Sequence, residues 1–407
     1  MSHSRRSFLK GALGASIAAP FGGVMPSFLT RSATAAKRRD DGKTALVVVQ
    51  LSGGNDGLNT VVPYADDEYA RSRPTLRLPA KELHKIDSYI GFHPRMGAFK
   101  RLYEEGVLSV VQGVGSPNAD SSHENAMRIW HTADPDNLVR DTGWLGRAVD
   151  NQWNPNTINT QAAFVGAIPR PFALNARNAI IPSVRGADDL AAAEIPQAAE
   201  LPRGKAGESL LSFVRQCRAG ACVNSRKIEA AAKNAAGAAE YPPFGLAGDL
   251  RTVAHLIRAD IGLQIFLVEL GGGGIGGFDN HANQLGNHCA LLHQLSESIA
   301  AFIDDLKRDG ILDRVLLMTF SEFGRTLKEN GRRGTDHGNA APVFLAGGKL
   351  KKGLVGTHLN LTDLDKGALK VGIDFRRLYA TVLDQWLGFE SRAVLDKQYE
   401  PLDILAG

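Results

Sequence analysis

Five short groups of polar residues could carry chemistry, and each follows an apolar stretch of the chain. They are Asn55-Asp56, Ser122-His123, Asp279-x-His281, Glu322 with Arg325, and Asp336-His337. Carboxylates and imidazoles are common ligands of divalent metals in proteins. A hydroxyl beside an imidazole is also what a nucleophile and its base require. The groups together predict a metal-assisted site.

Individual positions within these groups have specific interpretations. Glu322 ends an apolar run, where a carboxylate is costly unless a cation or another partner meets it. Arg325 is suited to holding a phosphate or sulfate with two parallel donors. Turn formation and helix capping are the alternative roles of Asn55, Asp56 and Asp279, and Ser122 could cap a helix and react as well. For His288 and His293 we expect ordinary packing.

Buried strands must position these groups. Apolar runs predict five strands, with helices between them. The predicted strands are Ala45–Leu51, Leu108–Gln112, Gln264–Leu270, Arg314–Phe320 and Pro342–Ala346. The clearest helical periodicity extends from His281 to Arg308. Alternating strands and helices predict an α/β fold with a doubly wound, mostly parallel sheet. The polar groups then lie at the carboxyl ends of the strands, where such folds bind ligands.

Composition divides the 407-residue chain into parts. Residues 150–248 are rich in Ala, Pro, Asn and Gly and predict an insertion or cap, which leaves 44–149 and 249–390 as the core and 391–407 as a C-terminal tail. Residues 1–35 contain four basic and no acidic side chains. The rest of the chain has 43 of each sign, and this balance argues against nucleic-acid binding.

The N-terminus has the features of an export signal. Ser4–Lys10 closely resembles the bacterial twin-arginine motif, an apolar stretch follows, and Ala33-Thr34-Ala35 suits a signal peptidase. We therefore expect the twin-arginine export machinery to be a partner and the mature protein to be periplasmic or otherwise exported, without a stable membrane span. Cys217 and Cys222 could form a disulfide in that compartment or remain unpaired.

The chain resembles the exported bacterial family known as domain of unknown function 1501, over about Thr44 to Gly388. The motifs that carry the resemblance are Leu51–Pro63, Phe92-His93-Pro94, Gly113-Val114-Gly115, Ser122-His123 with Ile129-Trp130, Gly277–His281, Ser321–Thr326, Asp336-His337 and Asp374–Tyr379. This family is placed with the alkaline phosphatase and sulfatase superfamily. The resemblance implies an alkaline-phosphatase-like fold and transfer of phosphate or sulfate groups with a divalent metal, zinc or calcium.

The resemblance also implies roles for particular residues. The superfamily's nucleophile falls at Ser122 or His123, its last metal-ligating histidine at His337, and its Asp-x-x-x-His ligands become Asp279-x-His281. Its Asp-His pair falls on Glu322-Phe323, which keeps only the carboxylate. Its aspartate after the first strand falls near Ser52, where Asp56 or Asn55 would have to replace it.

Two functions follow as hypotheses. The first is a metal-dependent hydrolase of phosphate or sulfate esters, acting on a small-molecule or glycan substrate. Its predicted metal ligands are Asp56, Asp279, His281, Glu322, Asp336 and His337, with Ser122 or His123 as nucleophile and Arg325 on the substrate oxygens. The second is a non-catalytic cell-envelope binding protein that kept the fold. The glycine run before Phe278 is only a weak dinucleotide motif, because no acidic residue follows a second strand at the required distance.

Overall fold

The computed structural model describes residues 44–153, 161–179, 181–186, 240–272 and 277–406. The predicted signal (residues 1–35) and the Cys217–Cys222 pair lie outside these ranges. So does most of the predicted insertion. The third cysteine, Cys289, is described and carries a free thiol.

A large mixed sheet organises the described part of the chain. Its path of neighbouring strands is β13-β5-β12-β9-β1-β8-β6-β7, and β16 also pairs with β5. The sheet strands are β1 (Ala45–Leu51), β5 (Leu108–Gly115), β6 (Ala162–Val165), β7 (Ser183–Val184), β8 (Ile265–Leu270), β9 (Val315–Phe320), β12 (Ala341–Gly347), β13 (Gly353–Val355) and β16 (Ile373–Asp374). Among the described strands of this sheet, only β12 is antiparallel to its neighbours, β5 and β9. The predicted mostly parallel sheet is confirmed.

Two small sheets flank the large one. The first contains β2 (Val61–Val62), β3 (His84–Lys85) and β4 (Gly91–Phe92). The second contains β10 (Arg325–Glu329), β11 (Thr335–His337), β14 (Leu364–Asp365) and β15 (Ala368–Leu369). His337 therefore belongs to a short strand beside the main sheet.

Helices cover both faces of the large sheet, as predicted. They are α1 (Gly57–Thr60), α2 (Asp67–Ser72), α3 (Gly97–Glu104), α4 (His123–Thr132), α5 (Trp144–Asp150), α6 (Gly245–Ala259), α7 (Gln284–Arg308), α8 (Phe375–Thr381) and α9 (Ser391–Leu395), with a π-helical turn at Val382–Leu387 and 3-10 turns at Phe172–Leu174 and Leu312–Arg314. Strand β1 is buried throughout. Its Val47 and Val49 pack in the core cluster with α7, whereas Leu46 and Val48 pack in the cluster with α8. Because successive side chains point to opposite faces, a fully apolar strand serves both layers.

Two predicted boundaries need correction. Residues 162–165, assigned to the insertion or cap, form β6, which pairs in parallel with β8 inside the large sheet. This run of only four residues, Ala-Ala-Phe-Val, is too short for a clear strand pattern. The predicted C-terminal tail contains buried Val394 and Ile404, so its described residues pack on the core.

Strand polarity determines where the predicted site lies. Parallel strands β1, β8 and β9 all end at one edge of the sheet. Strand β12 runs the other way, so the segment that precedes it, with His337, reaches the same edge. None of the described helices is both long and apolar enough to cross a membrane.

Candidate metal centre

Four side chains from three separate segments meet at this edge, and we call them the histidine–aspartate cluster: His123, Asp279, His281 and His337. His123 is the first residue of α4, and His337 ends β11. Asp279 and His281 lie between β8 and α7. Each segment begins or ends at the edge where the parallel strands finish, which is why residues distant in sequence converge.

One oxygen atom lies at the centre of the cluster. Asp279 Oδ1 is 3.3 Å from His123 Nε2, 3.0 Å from His281 Nε2 and 3.4 Å from His337 Nε2. The two nitrogens His281 Nε2 and His337 Nε2 are 2.9 Å apart. Ligands at the corners of a tetrahedron with metal bonds of about 2.0 Å are separated by roughly 3.3 Å. These distances therefore fit atoms that share one small cation.

The opposite nitrogen of each imidazole contacts an acceptor. His123 Nδ1 is 2.9 Å from Glu322 Oε1, and His281 Nδ1 is 3.2 Å from Asp336 Oδ1. His337 Nδ1 is 2.5 Å from the carbonyl oxygen of Ser121. Because carboxylate and carbonyl oxygens only accept, each Nδ1 must donate, and a neutral ring then has its lone pair on Nε2. This pairing of ring nitrogens is typical of metal-ligating histidines.

The inward-facing Nε2 atoms of His281 and His337 contact only other members of the cluster among the described residues. His123 Nε2 is buried and has no hydrogen-bond partner among the described residues. Three nitrogen lone pairs face the Asp279 carboxylate oxygen. These electron-rich atoms repel one another unless a proton or a cation lies between them. The cluster's donor set of imidazoles and carboxylate is the one that zinc accepts readily, whereas calcium prefers oxygen ligands only.

The charges around the cluster are also suited to a divalent ion. Burial opposes ionisation of Asp279, but the Arg325 guanidinium outweighs it and lowers the pKa of that carboxyl to about 2. The hydrogen bond to Glu322 raises the pKa of His123, whereas burial lowers the pKa of His337. Asp279, Glu322 and Asp336 as carboxylates, with Arg325 as a cation, leave a formal charge of −2, which a divalent ion neutralises.

Two predicted metal ligands lie one layer behind the cluster. Glu322 is nearly buried and accepts hydrogen bonds from the Gly53 amide (2.8 Å) and from His123. Asp336 is mostly exposed, and Asn330 as well as His281 contacts its Oδ1. Each carboxylate therefore meets the outer nitrogen of an imidazole.

Two further predicted site residues, Asp56 and Arg325, are buried and form hydrogen bonds other than those predicted. Asp56 is buried against Arg73, with Arg73 Nη1 2.6 Å from Asp56 Oδ2, outside the cluster. Arg325 is also buried; it donates to the carbonyls of Gly54 (2.7 Å) and Thr335 (3.1 Å) and to Asp279 Oδ1 (2.7 Å). Because its donors face the protein interior, we correct the prediction that Arg325 holds substrate oxygens: this side chain positions Asp279.

The predicted nucleophiles separate in space and in role. Ser122 is exposed and is the N-cap of α4, where its hydroxyl accepts from the Asn125 amide at 3.5 Å. None of its hydrogen bonds among the described residues reaches the cluster. His123, by contrast, belongs to the cluster itself.

A glycine allows the first loop to approach the cluster closely. Gly53 has a φ of +112°, and a Cβ there would lie 2.5 Å from the Asp279 backbone nitrogen. Glycine is required here both because its backbone adopts a positive φ easily and because there is no space for a Cβ. Phe323, which sequence reasoning passed over, packs its ring 4.5 Å from His337 and 4.9 Å from His123, measured between centroids.

The fold and this edge-located cluster define a doubly wound α/β protein with a candidate metal centre. Residues 251–398 match the sequence model of the family described as "Protein of unknown function (DUF1501)". The match confirms the resemblance over this part of the chain, which includes Asp279, His281, Glu322 and His337. No curated protein sequence gives a significant match.

Several solved structures are similar at low sequence identity. The C-terminal periplasmic domain of EcEptC from Escherichia coli, in complex with Zn, is 10% identical, with 75% of this chain and 73% of that chain covered and a TM-score of 0.37. The lipoteichoic acid synthase LtaP from Listeria monocytogenes is 11% identical, with coverage of 78% and 67% and a TM-score of 0.39. A protein in the alkaline phosphatase superfamily from Vibrio parahaemolyticus is 10% identical, with coverage of 88% and 71% and a TM-score of 0.36. No function is transferred from these distant similarities.

Proposed function

We propose that this protein is a metal-dependent hydrolase of phosphate or sulfate esters with one divalent ion, zinc, in the histidine–aspartate cluster. The observation that carries the proposal is the convergence of three Nε2 atoms on Asp279 Oδ1, each ring held from behind by an acceptor. The ester class rests on the resemblance of the sequence motifs to a family that is placed with the alkaline phosphatase and sulfatase superfamily.

Side-chain exposure supports a catalytic rather than a purely structural ion. Asp279 is 45% exposed and His123 37%, whereas Glu322 behind them is 2% exposed. A structural zinc site is closed by protein ligands, whereas a catalytic one keeps a position open to substrate. The cluster is fixed on its inner side and accessible on its outer side.

Each residue then has a defined task. A divalent ion supplies Lewis-acid polarisation of a phosphoryl or sulfuryl oxygen. Glu322 and the Ser121 carbonyl hold His123 and His337 with their lone pairs inward, and Arg325 keeps Asp279 ionised and in place. We assign the attack to water, because the Ser122 hydroxyl is engaged as a helix cap and does not contact the cluster.

We also propose that the protein works outside the cytoplasm. The support is the sequence of residues 1–35, with the arginine pair at Arg5 and Arg6 before an apolar stretch. Cell fractionation of the wild-type chain and of an Arg5→Lys, Arg6→Lys variant tests the location. We expect the variant to accumulate in the cytoplasm at its unprocessed length. Equal export of both forms contradicts a twin-arginine route.

Metal content and hydrolysis test the main proposal together. The protein, purified without chelator and reconstituted with zinc, should contain about one ion per chain by mass spectrometry and should cleave aryl phosphates or aryl sulfates. His337→Gln should lose the ion and the activity. His293→Gln is the matched control, because His293 lies on α7 against Phe244, 5.7 Å between ring centroids, and should change neither. A reconstituted wild-type protein without bound metal refutes the proposal.

One observation favours the second candidate, a non-catalytic binding protein. The Arg325 guanidinium, predicted to stabilise the transferred group, is 1% exposed and serves main-chain carbonyls instead. Without another cation the anionic group depends on the metal alone. A protein that binds one zinc but cleaves neither ester class, while retaining a phosphorylated or sulfated glycan, would support this candidate.

A further inference from the structure

We propose that Arg332 and Arg333 form an anion-binding subsite beside the histidine–aspartate cluster, which takes a second phosphate or sulfate group of the substrate. The inference rests on the proposed function and narrows its substrate class to esters that carry a second anionic group. Arg325, the arginine bonded to the cluster, is 1% exposed and uses its donors inside the protein. An arginine that meets the substrate must therefore come from outside the cluster.

The two arginines lie in the turn between β10 and β11, and hydrogen bonds fasten this turn to the segment that carries His281. The Arg332 carbonyl accepts from the Asn283 amide at 3.0 Å. The Arg333 carbonyl accepts from the Gln284 amide at the same distance, 3.0 Å. Asn283 follows His281 by only two positions in the sequence. The backbone of both arginines is therefore directly bonded to the chain that leaves the cluster.

Asn330 fixes the shape of the turn and its place beside the cluster. Its Oδ1 accepts from the amides of Arg332 (2.9 Å) and Gly334 (3.2 Å). Its Nδ2 donates to the carbonyl oxygen of His281 and to Asp336 Oδ1, both at 3.1 Å. A turn held in this way is already ordered before a ligand arrives, so binding costs little additional entropy.

The guanidinium groups are available to a ligand. Arg332 and Arg333 are both exposed, and within the described ranges neither side chain forms an ion pair or a hydrogen bond. The hydrogen bond from Asn330 lowers the pKa of Asp336, and the charges of His281 and Arg332 contribute to this shift. Because Asp336 Oδ1 is 3.2 Å from His281 Nδ1, the Arg332 charge acts at the solvent side of the cluster.

The backbone at Arg333 gives independent support. Its φ is +59°, in the left-handed region that favours glycine, although glycines stand nearby at Gly331 and Gly334. Side chains held in such conformations are found preferentially at ligand-binding sites.

The chemistry of two adjacent guanidinium groups defines the ligand. Each can bind a phosphate or sulfate with two parallel donors. With a divalent ion neutralising the formal charge of −2 around the cluster, one anionic group of the substrate meets the ion. The other anionic group meets Arg332 and Arg333.

Binding of sulfonates tests the subsite without a chemical step. Benzenesulfonate has one anionic group, benzene-1,3-disulfonate and the longer biphenyl-4,4′-disulfonate have two, and none is an ester. By calorimetry on the zinc-reconstituted protein, at least one disulfonate should bind roughly 10–100-fold more tightly than the monosulfonate, the contribution of a charged hydrogen bond or two. The double variant Arg332→Gln, Arg333→Gln should lose this preference. Added salt should weaken it in the wild type, because the two arginines are exposed.

Arg177→Gln, Arg392→Gln is the matched control. It removes the same formal charge from two exposed arginines that have no contact with the cluster in the described part of the chain, and it should keep the preference. Hydrolysis gives a second readout: kcat/KM for 1,3-phenylene bisphosphate should exceed that for phenyl phosphate in the wild type and in the control. The two values should converge in Arg332→Gln, Arg333→Gln.

Equal affinity of the wild type for the monosulfonate and both disulfonates overturns the subsite without any variant. A preference that survives in Arg332→Gln, Arg333→Gln overturns it as well, and so does equal loss of the preference in the control. A wild-type protein that prefers a disulfonate through these arginines but cleaves no ester refutes the proposed function and leaves the subsite standing. Cleavage of phenyl phosphate without any disulfonate preference refutes the subsite alone.

Discussion

Removal of the Arg73 guanidinium should destabilise the protein strongly, although Arg73 belongs to no recognised motif. Its side chain is 0% exposed and makes five hydrogen bonds. Two go to the Asp56 carboxylate (2.6 and 2.9 Å), and the others go to Asn59 and to the carbonyls of Thr326 and Leu327. This network joins α1 and α2 to β10.

The magnitude follows from what the substitution leaves behind. In Arg73→Met the Asp56 carboxylate stays buried without its partner, and breaking such a pair costs about 3–5 kcal/mol. The neutral double variant Asp56→Asn, Arg73→Met should be less destabilised than the single variant. Burial raises the pKa of Asp56, but Arg73 outweighs it and holds that pKa below its ordinary value of 3.8. The pair therefore stabilises the wild type above pH 3.8 and loses this contribution as pH falls through the folded-state pKa.

Urea unfolding followed by fluorescence of the buried Trp130 and Trp144 measures the effect. Arg177→Met is the matched control, since Arg177 and its partner Asp141 are 71% and 69% exposed, and it should change the unfolding free energy by under about 1 kcal/mol. An Arg73→Met protein no less stable than this control refutes the reasoning about the buried pair.

Four further predictions follow from the site and its surroundings. Asp56→Asn should keep bound zinc wherever it remains folded, because Asp56 lies outside the cluster; loss of zinc, measured by mass spectrometry, from a variant that is still folded by fluorescence would make Asp56 a ligand. Ser122→Ala should cost about 1 kcal/mol of stability through its lost cap and keep most ester hydrolysis; inactivity in a folded variant would make Ser122 the nucleophile. Gly53→Ala should reduce zinc affinity, measured by chelator competition, because its Cβ meets the Asp279 backbone; unchanged affinity contradicts that steric argument. Burial lowers the pKa of His131 to about 3, so folding opposes its protonation; stability should fall as pH drops below about 6.5, and urea titrations of His131→Gln should show a shallower decrease.

Much of the fold could be predicted because its strands are continuous apolar runs. Strand β1 occupies the predicted Ala45–Leu51, and β9 differs from its prediction by one residue. Helix α7 begins at Gln284 rather than His281, because the residue before it, Asn283, has a left-handed backbone conformation with a φ of +46°. Strand β6 escaped prediction because four residues show no period, and its place in the sheet depends on pairing with β8.

The site could be predicted in location but not in detail. Residue types at strand ends predicted that Asp279, His281 and His337 would lie at one edge of the sheet, and the structure brings their side chains together there. Sequence alone does not reveal which nitrogen of a ring faces inward, since that depends on partners such as Glu322, 199 positions from His123. Nor does it reveal that main-chain carbonyls use the donors of Arg325. The folded backbone determines both the orientation of the imidazole rings and the hydrogen-bond partners of Arg325.

The contact between the Ser121 carbonyl and His337 joins chain segments 216 positions apart. A zinc ion bound by both His123 and His337 would cross-link these two segments. Because only the folded chain brings these ligands together, each tenfold rise in free zinc above the dissociation constant adds about 1.4 kcal/mol to the unfolding free energy. The resistance of this protein to heat and proteases would then follow the zinc supply of its surroundings.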